Sequence, residues 1–318
     1  MRLGFIGDIL RWALDLIYSL VGNYGWAVLI FTLLIRLVLM PLDIKSRKSM
    51  KAMQNVQPKI DELNKKYAND KDKLNQKMAE LYKKEKINPL SGCLPMLIQL
   101  PILFAMFAVM REVANEETIQ LILDIKQNIL AGVENFQPKL QGLLWIKNVF
   151  QPDSFMSTVV PAFGSTLPEI TKGSGMVTME MIEEAKAFLQ TAEYSAWAAD
   201  YGNAVAYSAP LLMWTISIPR KFNGLFILPI LSAVSQFFTS KYMNAGQQSS
   251  NAQQASTNKF MQWFFPLFSL WICASSNAAF ALYWVFINVF QIAQQFIIGK
   301  LIDRSENKKK LIEEASTK

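Results

Sequence analysis

The 318-residue chain contains no histidine and only two cysteines, Cys93 and Cys273. It therefore lacks the commonest protein metal ligand and the one side chain that titrates, unperturbed, near neutrality. Both cysteines lie inside apolar runs with nothing nearby to complete a metal site, so they read as small buried hydrophobes. Neither metal, cofactor nor cysteine-nucleophile chemistry is expected. Charge is also scarce, at 18% of residues against 52% hydrophobic. The apolar excess gathers in a few runs separated by charged stretches, which is the composition of a polytopic membrane protein.

A cleavable signal peptide is not expected, because Asp8, Arg11 and Asp15 interrupt the apolar start. Phe5, Ile9, Trp12, Leu16 and Leu20 instead recur at helical spacing. Residues 4–20 thus read as an amphipathic helix, either lying in a membrane interface or packed on the chain's own spans. Five stretches suit a hydrocarbon core of ~30 Å: 24–42, 93–111, 224–242, 259–275 and 277–300. Trp26, Trp263, Trp271 and Trp284 lie in them, some near the ends where interfacial aromatics belong.

Orientation follows from lysine and arginine asymmetry. Segment 43–90 carries thirteen Lys and Arg residues, whereas the longer segment 114–222 holds seven. The longer segment also has more acids than bases, Glu116, Glu117, Asp124 and Asp153 among them. Residues 43–92 are then cytoplasmic and 112–223 external. The start of the chain (1–23) lies outside, and a basic tail (301–318, with Lys308, Lys309 and Lys310) lies inside. The cytoplasmic segment reads as two helices. Met50, Met53, Val56, Ile60 and Leu63 form one stripe, which Pro58 is expected to kink or restart. After a turn at Asn69-Asp70, Leu74, Met78 and Leu81 form the second. Such close partners pack as an antiparallel hairpin. The stripes either only bury each other or, through flexible Met50, Met53 and Met78, present a surface that receives many apolar partners. Residues 243–258, small and polar, read as a flexible connector.

One charge stands inside an apolar stretch: Arg36, in FTLLIRLVLMPL. It lies about 9 Å below the cytoplasmic end of its span at ~1.5 Å per residue, within partial reach of snorkelling. No span carries an Asp or Glu in its apolar interior, so Arg36 is expected to lack an acidic partner there. Neutral polar groups are present instead: Thr32 one turn away, Gln99, then Ser232, Ser235, Gln236 and Thr239. Trp284, Asn288, Gln291 and Gln295 fall at i, i+4, i+7 and i+11, a single helical face. Each polar residue alone reads as interhelical glue. Together they suggest a wet, positive cavity in the inner leaflet that would hold an acidic segment in transit.

Several long motifs coincide with a known family. GNYGWAVLIFTLLIRLVLMPL with KSMKAMQNVQPKIDELNKKY, LYKKEKINPLSGCLPMLIQLPILFAMF, GLLWIKNVFQPDS and ALYWVFINVFQIAQQ, in that order, resemble the YidC family of membrane protein insertases. The resemblance implies an all-α membrane protein of the bacterial cell membrane. Five transmembrane helices would enclose a hydrophilic groove open to the cytoplasm and to lipid, with a cytoplasmic helical hairpin (about 44–86) and an N-terminal interfacial helix. It implies that a positive residue in the first span, here Arg36, is the functional centre, and that the hairpin receives nascent chains. The implied partners are nascent membrane proteins, membrane lipids, the Sec translocon and, through a basic tail, the ribosome, with no specific nucleic acid. Insertion would proceed without nucleotide hydrolysis, so the chain is not expected to be an enzyme.

Three features depart from the family pattern. No lipid-modified cysteine follows a lipoprotein signal, so the first twenty residues are expected to cross uncleaved. Residues 157–222 form an insert with one expected helix (MEMIEEAKAFLQTAEYSAWAADY) and a run, YSAPLLMWTISIP, too short to span. ASSNAAFALYW lacks the Pro-Ala-Gly usual before the last span, which leaves the outer turn open. Two rival functions fit less well. A small-solute transporter or channel would call for coupling carboxylates and internal repeats, and an intramembrane hydrolase would call for a histidine or an acid inside the spans.

Overall fold

The computed structural model describes residues 4–85, 87, 94–134, 136–165, 167, 176–203, 207–211, 214–244 and 252–316. Lys86, Cys93, Glu169, Lys172, connector residues 245–251 and the side chains of Lys308, Lys309 and Lys310 lie outside the described residues. The chain is mostly helical. In order it forms α1 (Gly4–Val21), α2 (Tyr24–Lys66), α3 (Lys71–Lys84), α4 (Leu94–Leu130), α5 (Met179–Phe188), α6 (Ala192–Asn203), β1 (Tyr207–Leu211), β2 (Trp214–Ile218), α7 (Ile227–Asn244), α8 (Ala252–Ser275) and α9 (Ala278–Ser316). It divides into two compact units. One comprises Met1–Thr32, Leu103–Ser232 and Ser269–Val285, and the other Leu33–Ile102, Ala233–Phe268 and Phe286–Lys318.

Among the described residues, Tyr24–Lys66 and Ala278–Ile302 are long and apolar enough to cross a membrane. Pro58 does not restart the first of these: α2 runs unbroken through Pro41 and Pro58. A proline removes one backbone hydrogen bond, and the helical residues on both sides carry the helix past each gap. Likewise α4 continues well past the expected end at Arg111. Residues 252–258, expected in the flexible connector, are helical and belong to α8. AQQAST contains no glycine or proline to stop the helix.

The all-α expectation needs one correction. Within the run YSAPLLMWTISIP, β1 and β2 form an antiparallel pair in the register Tyr207↔Ile218 to Leu211↔Trp214. β-Branched Thr215, Ile216 and Ile218 favour strand, and both strands are edges, where Pro210 is tolerated. The single helix expected over 179–201 is two. α5 ends at Phe188, and Thr191 opens α6 by accepting from Tyr194 N (3.2 Å) while donating to Phe188 O (2.9 Å). A threonine hydroxyl offers the backbone this alternative to continued helix.

In the first unit, a core of Ile119, Ile122 and Ile125 from α4 packs with Val159, Val160, Val177, Ile182, Phe188, Leu189, Tyr194 and Tyr201. The extended α4 thus serves as the post on which the insert folds. Burial of that many large apolar side chains, each worth ~1.5–3 kcal/mol, is enough to fix α5 and α6 in place. The turn left open before the last span is set by Asn277. Its Oδ1 accepts from Phe280 N (2.9 Å), capping α9, and its Nδ2 donates to Met110 O (3.2 Å). Loop carbonyls of Gln151 and Val149 take the N–H groups of Ala278 (3.0 Å) and Ala279 (2.8 Å), so the helix end leaves few orphan donors.

Candidate functional site

On α2, the lipid-type residues Leu34, Leu37 and Val38 are exposed, whereas Arg36 is only 4% exposed. Its guanidinium turns inward and meets polar groups of the second unit, Gln291 and Asp43 among them. Arg36 Nη2 donates to Gln291 Oε1 at 3.0 Å. Arg36 Nη1 lies 3.9 Å from Asp43 Oδ2, and Gln294 Nε2 donates to that same oxygen at 3.1 Å. A circuit of α2 and α9 side chains results: Gln291, Arg36, Asp43, Gln294. The expectation that Arg36 lacks an acidic partner is therefore wrong. Asp43 lies seven residues on, two helical turns and so the same face, and a carboxylate at the end of an apolar stretch reaches back to a cation inside it. Burial pushes the Asp43 carboxyl above its ordinary value, against the opposing pull of Arg36, the Gln294 hydrogen bond and Arg47.

The remaining polar candidates sort by unit. In the second, Asn288 Nδ2 donates to Ser235 Oγ at 3.5 Å. Thr239 is buried, and Gln99, Gln236 and Gln295 are half-buried. In the first, Thr32 donates to Val28 O (2.7 Å) within its own helix. Ser232 donates to Pro229 O (2.7 Å) and Ser269 O (3.1 Å), a contact of the interhelical kind. Trp284 is buried with its ring 5.7 Å from that of Phe280. Of the hairpin candidates, Met50, Met53 and Met78 are half-buried, while Val56 and Ile60 carry the buried part of the α2 stripe. The hairpin is tied by Lys59 Nζ to Glu85 Oε1 at 2.6 Å, and Asp70 caps α3 by accepting from Lys73 N.

Two clusters of the first unit were not singled out by sequence reasoning. In one, the carboxylate of Asp153, 1% exposed, accepts from the backbone N–H groups of Leu225 (2.9 Å), Phe226 (3.2 Å) and Leu228 (2.7 Å) and from Trp145 Nε1 (3.2 Å). Asn223 Nδ2 donates to the carbonyls of Asn148, Gln151 and Pro152. This knot fixes the entry into α7. Its one advance signal is GLLWIKNVFQPDS, a loop rich in groups able to bond backbone. In the other cluster Arg11 joins α1 to α4, with Nη2 on Glu116 Oε2 and Nε on Asp15 Oδ2, both at 2.7 Å. Burial alone would lower the Arg11 value, but the two carboxylates raise it. Glu117 beside them is pushed up by burial and by the charge of Glu116.

With this geometry in hand, comparison with known proteins decides the family. Residues 16–306 match the family model described as 60Kd inner membrane protein. The chain belongs to that family. It is accordingly a membrane protein. Similar curated relatives include the membrane protein insertase YidC of Treponema denticola, 29% identical over 92% of this chain and 37% of the relative. That of Chlorobaculum tepidum is 32% identical over 90% of this chain and 34% of the relative. That of Rickettsia massiliae is 29% identical over 91% and 38%. The chain thus spans little more than a third of the length of these relatives. A solved structure titled as an active YidC insertase with its first transmembrane domain resolved covers 91% of this chain and 45% of its own, at 20% identity and a TM-score of 0.43. None of these relatives lends support to the transporter reading.

Proposed function

We propose that this chain moves hydrophobic segments of nascent membrane proteins into the bilayer and releases them sideways into lipid, with Arg36 receiving their acidic flanks. The observation that carries the reading is the inward-turned Arg36, hydrogen-bonded to Gln291 and facing Asp43 on an otherwise apolar helix. Removing a charge from water costs several kcal/mol unless partners repay it. Here Asp43 stands at 3.9 Å, the outer limit of ion-pair distance, so its pull on Arg36 is weak and the site keeps a positive character toward an incoming acid. Burial of the client's apolar side chains, at ~25 cal/mol per Å², supplies the driving force, and no covalent step is required.

The wider frame belongs to the same proposal. Five spans, at 24–42, 93–111, 224–242, 259–275 and 277–300, put residues 43–92 and the tail in the cytoplasm, and 112–223 outside. The half-buried Met50, Met53 and Met78 of the hairpin receive clients. On α1 the stripe Phe5, Ile9, Trp12, Leu16 and Leu20 is exposed while Leu14 and Ile17 are buried. This favours lipid rather than the chain's own spans as the surface that the stripe meets. Lipids, the Sec translocon and the ribosome are further proposed partners, and the chain is proposed to have no catalytic residue.

The test is insertion of a short-tailed acidic client by Arg36→Ala and Arg36→Lys in proteoliposomes. Loss with Ala and recovery with Lys are expected. Undiminished insertion by Arg36→Ala would refute the role of the charge.

A further inference from the structure

A cavity of about 270 Å³ lies in the first unit between the irregular stretch 158–163 and α6. Val159, Phe163, Ala198, Ala199 and Tyr201 give it apolar walls, and Lys221 lines it as well. Arg220 stacks its guanidinium 4.8 Å from the centre of the Tyr201 ring. Lys147 Nζ donates to the Arg220 carbonyl at 3.0 Å. Lys221 is thus the cation in the lining itself, its ammonium 5.0 Å from the centre of the Phe222 ring, while Arg220 lies against Tyr201, another lining residue. Among the described residues, no carboxylate lies within ion-pair distance of Arg220 or Lys221. The backbone holds this arrangement in place, since Val159 N donates to Lys221 O (3.2 Å) and Asn223 N to Ser157 O (2.9 Å). Burial, and then the charge of Arg220, push the Lys147 amine down to about 8, which marks a spot where a further negative charge would be welcome.

We infer that this hollow binds one anionic phospholipid, its phosphate on Arg220 and Lys221 and its glycerol region within the apolar walls. Charge complementarity selects the anion: Lys221 lines the hollow and Arg220 packs on its Tyr201 wall, and a guanidinium and an ammonium both suit phosphate. The volume is below that of pockets that engulf whole ligands, so only part of a lipid enters. Position selects lipid over a soluble anion. Lys221 is six residues before Ile227, the first residue of α7, and six residues reach at most ~20 Å. The inference rests on the proposed reading of α7 as a span in that last respect alone.

The full-length chain is reconstituted in vesicles of equal parts phosphatidylglycerol and phosphatidylcholine, extracted, and weighed by native mass spectrometry. Wild type should retain one phosphatidylglycerol per chain. Retention should fall about tenfold or more in Arg220→Gln/Lys221→Gln. It should fall likewise in Ala199→Phe, an exposed position whose new ring fills the hollow and leaves every charge. Equal retention in all three chains overturns the inference. Loss in the charge variant alone overturns it too, because surface attraction then suffices. Equal capture of phosphatidylcholine overturns the selection for an anion, and displacement by millimolar glycerol phosphate reassigns the site to a soluble ligand. Arg36→Ala should retain the lipid as wild type does, so failure here and failure of the insertase reading are separate results.

Discussion

Gly224 and Asp153 share a space that holds no further atom: a Cβ placed on Gly224 would fall on Asp153 Oδ1. The carboxylate sits there because it binds the N–H groups of Leu225, Phe226 and Leu228 just downstream. Gly224→Ala is therefore expected to evict Asp153 and strand several buried donors, each worth ~1–3 kcal/mol. Thermal unfolding of the purified chain in detergent should show a clearly lowered midpoint. Asp153→Asn, which keeps an acceptor but loses the charge, should show a smaller drop.

Asp43 tempers Arg36. Asp43→Asn removes a carboxylate 3.9 Å from that guanidinium while retaining an oxygen for the Gln294 amide. Insertion of an acidic client should persist or rise in this variant. The double variant Arg36→Ala/Asp43→Asn should match Arg36→Ala alone, since the aspartate acts only through the arginine. A loss of insertion with Asp43→Asn by itself would show instead that the acid is needed.

Acidity should strengthen the junction of α1 with α4. Glu117 has a folded value above its ordinary one, raised by burial and by Glu116. In the window above the ordinary carboxylate range the folded chain thus binds the proton that the unfolded chain has released. Stability falls as pH rises through that window. Glu117→Gln should raise the unfolding midpoint at pH 7, with the gain shrinking as pH falls toward 4.5. A gain that is constant with pH would mean that titration is not its source.

Tyr194 joins the insert's two layers. It is fully buried, and its hydroxyl donates to Pro161 O at 2.6 Å. Tyr194→Phe should cost ~1–3 kcal/mol, the price of a stranded carbonyl. Tyr194→Ala should cost ~3–5 kcal/mol through the cavity it leaves. Limited proteolysis between α5 and α6 reports both. Insertion by the Phe variant should be unchanged if the insert takes no part in client transfer.

The helices were legible because periodic apolar faces and long apolar runs are local properties. Helix ends were less so. The connector before α8 looked flexible from its polarity, yet helix propensity in AQQAST prevailed, and Pro58 proved too weak a signal to end α2. The break between α5 and α6 depended on a single hydroxyl, Thr191, choosing backbone partners. Arg36 stood out because a charge in an apolar run is conspicuous. Its carboxylate partner did not, because Asp43 opens the segment that the charge asymmetry assigns to the cytoplasm, although it lies on the same helical face two turns on. The Asp153 knot joins residues some seventy positions apart, and no spacing rule on one chain reveals such a meeting.

From Arg36 to Met53, α2 is unbroken helix. Met50 and Met53 lie roughly 21 and 26 Å beyond Arg36 along it, at ~1.5 Å per residue. No loop lies between them, so whatever displaces the methionines is passed to the guanidinium through continuous helical backbone.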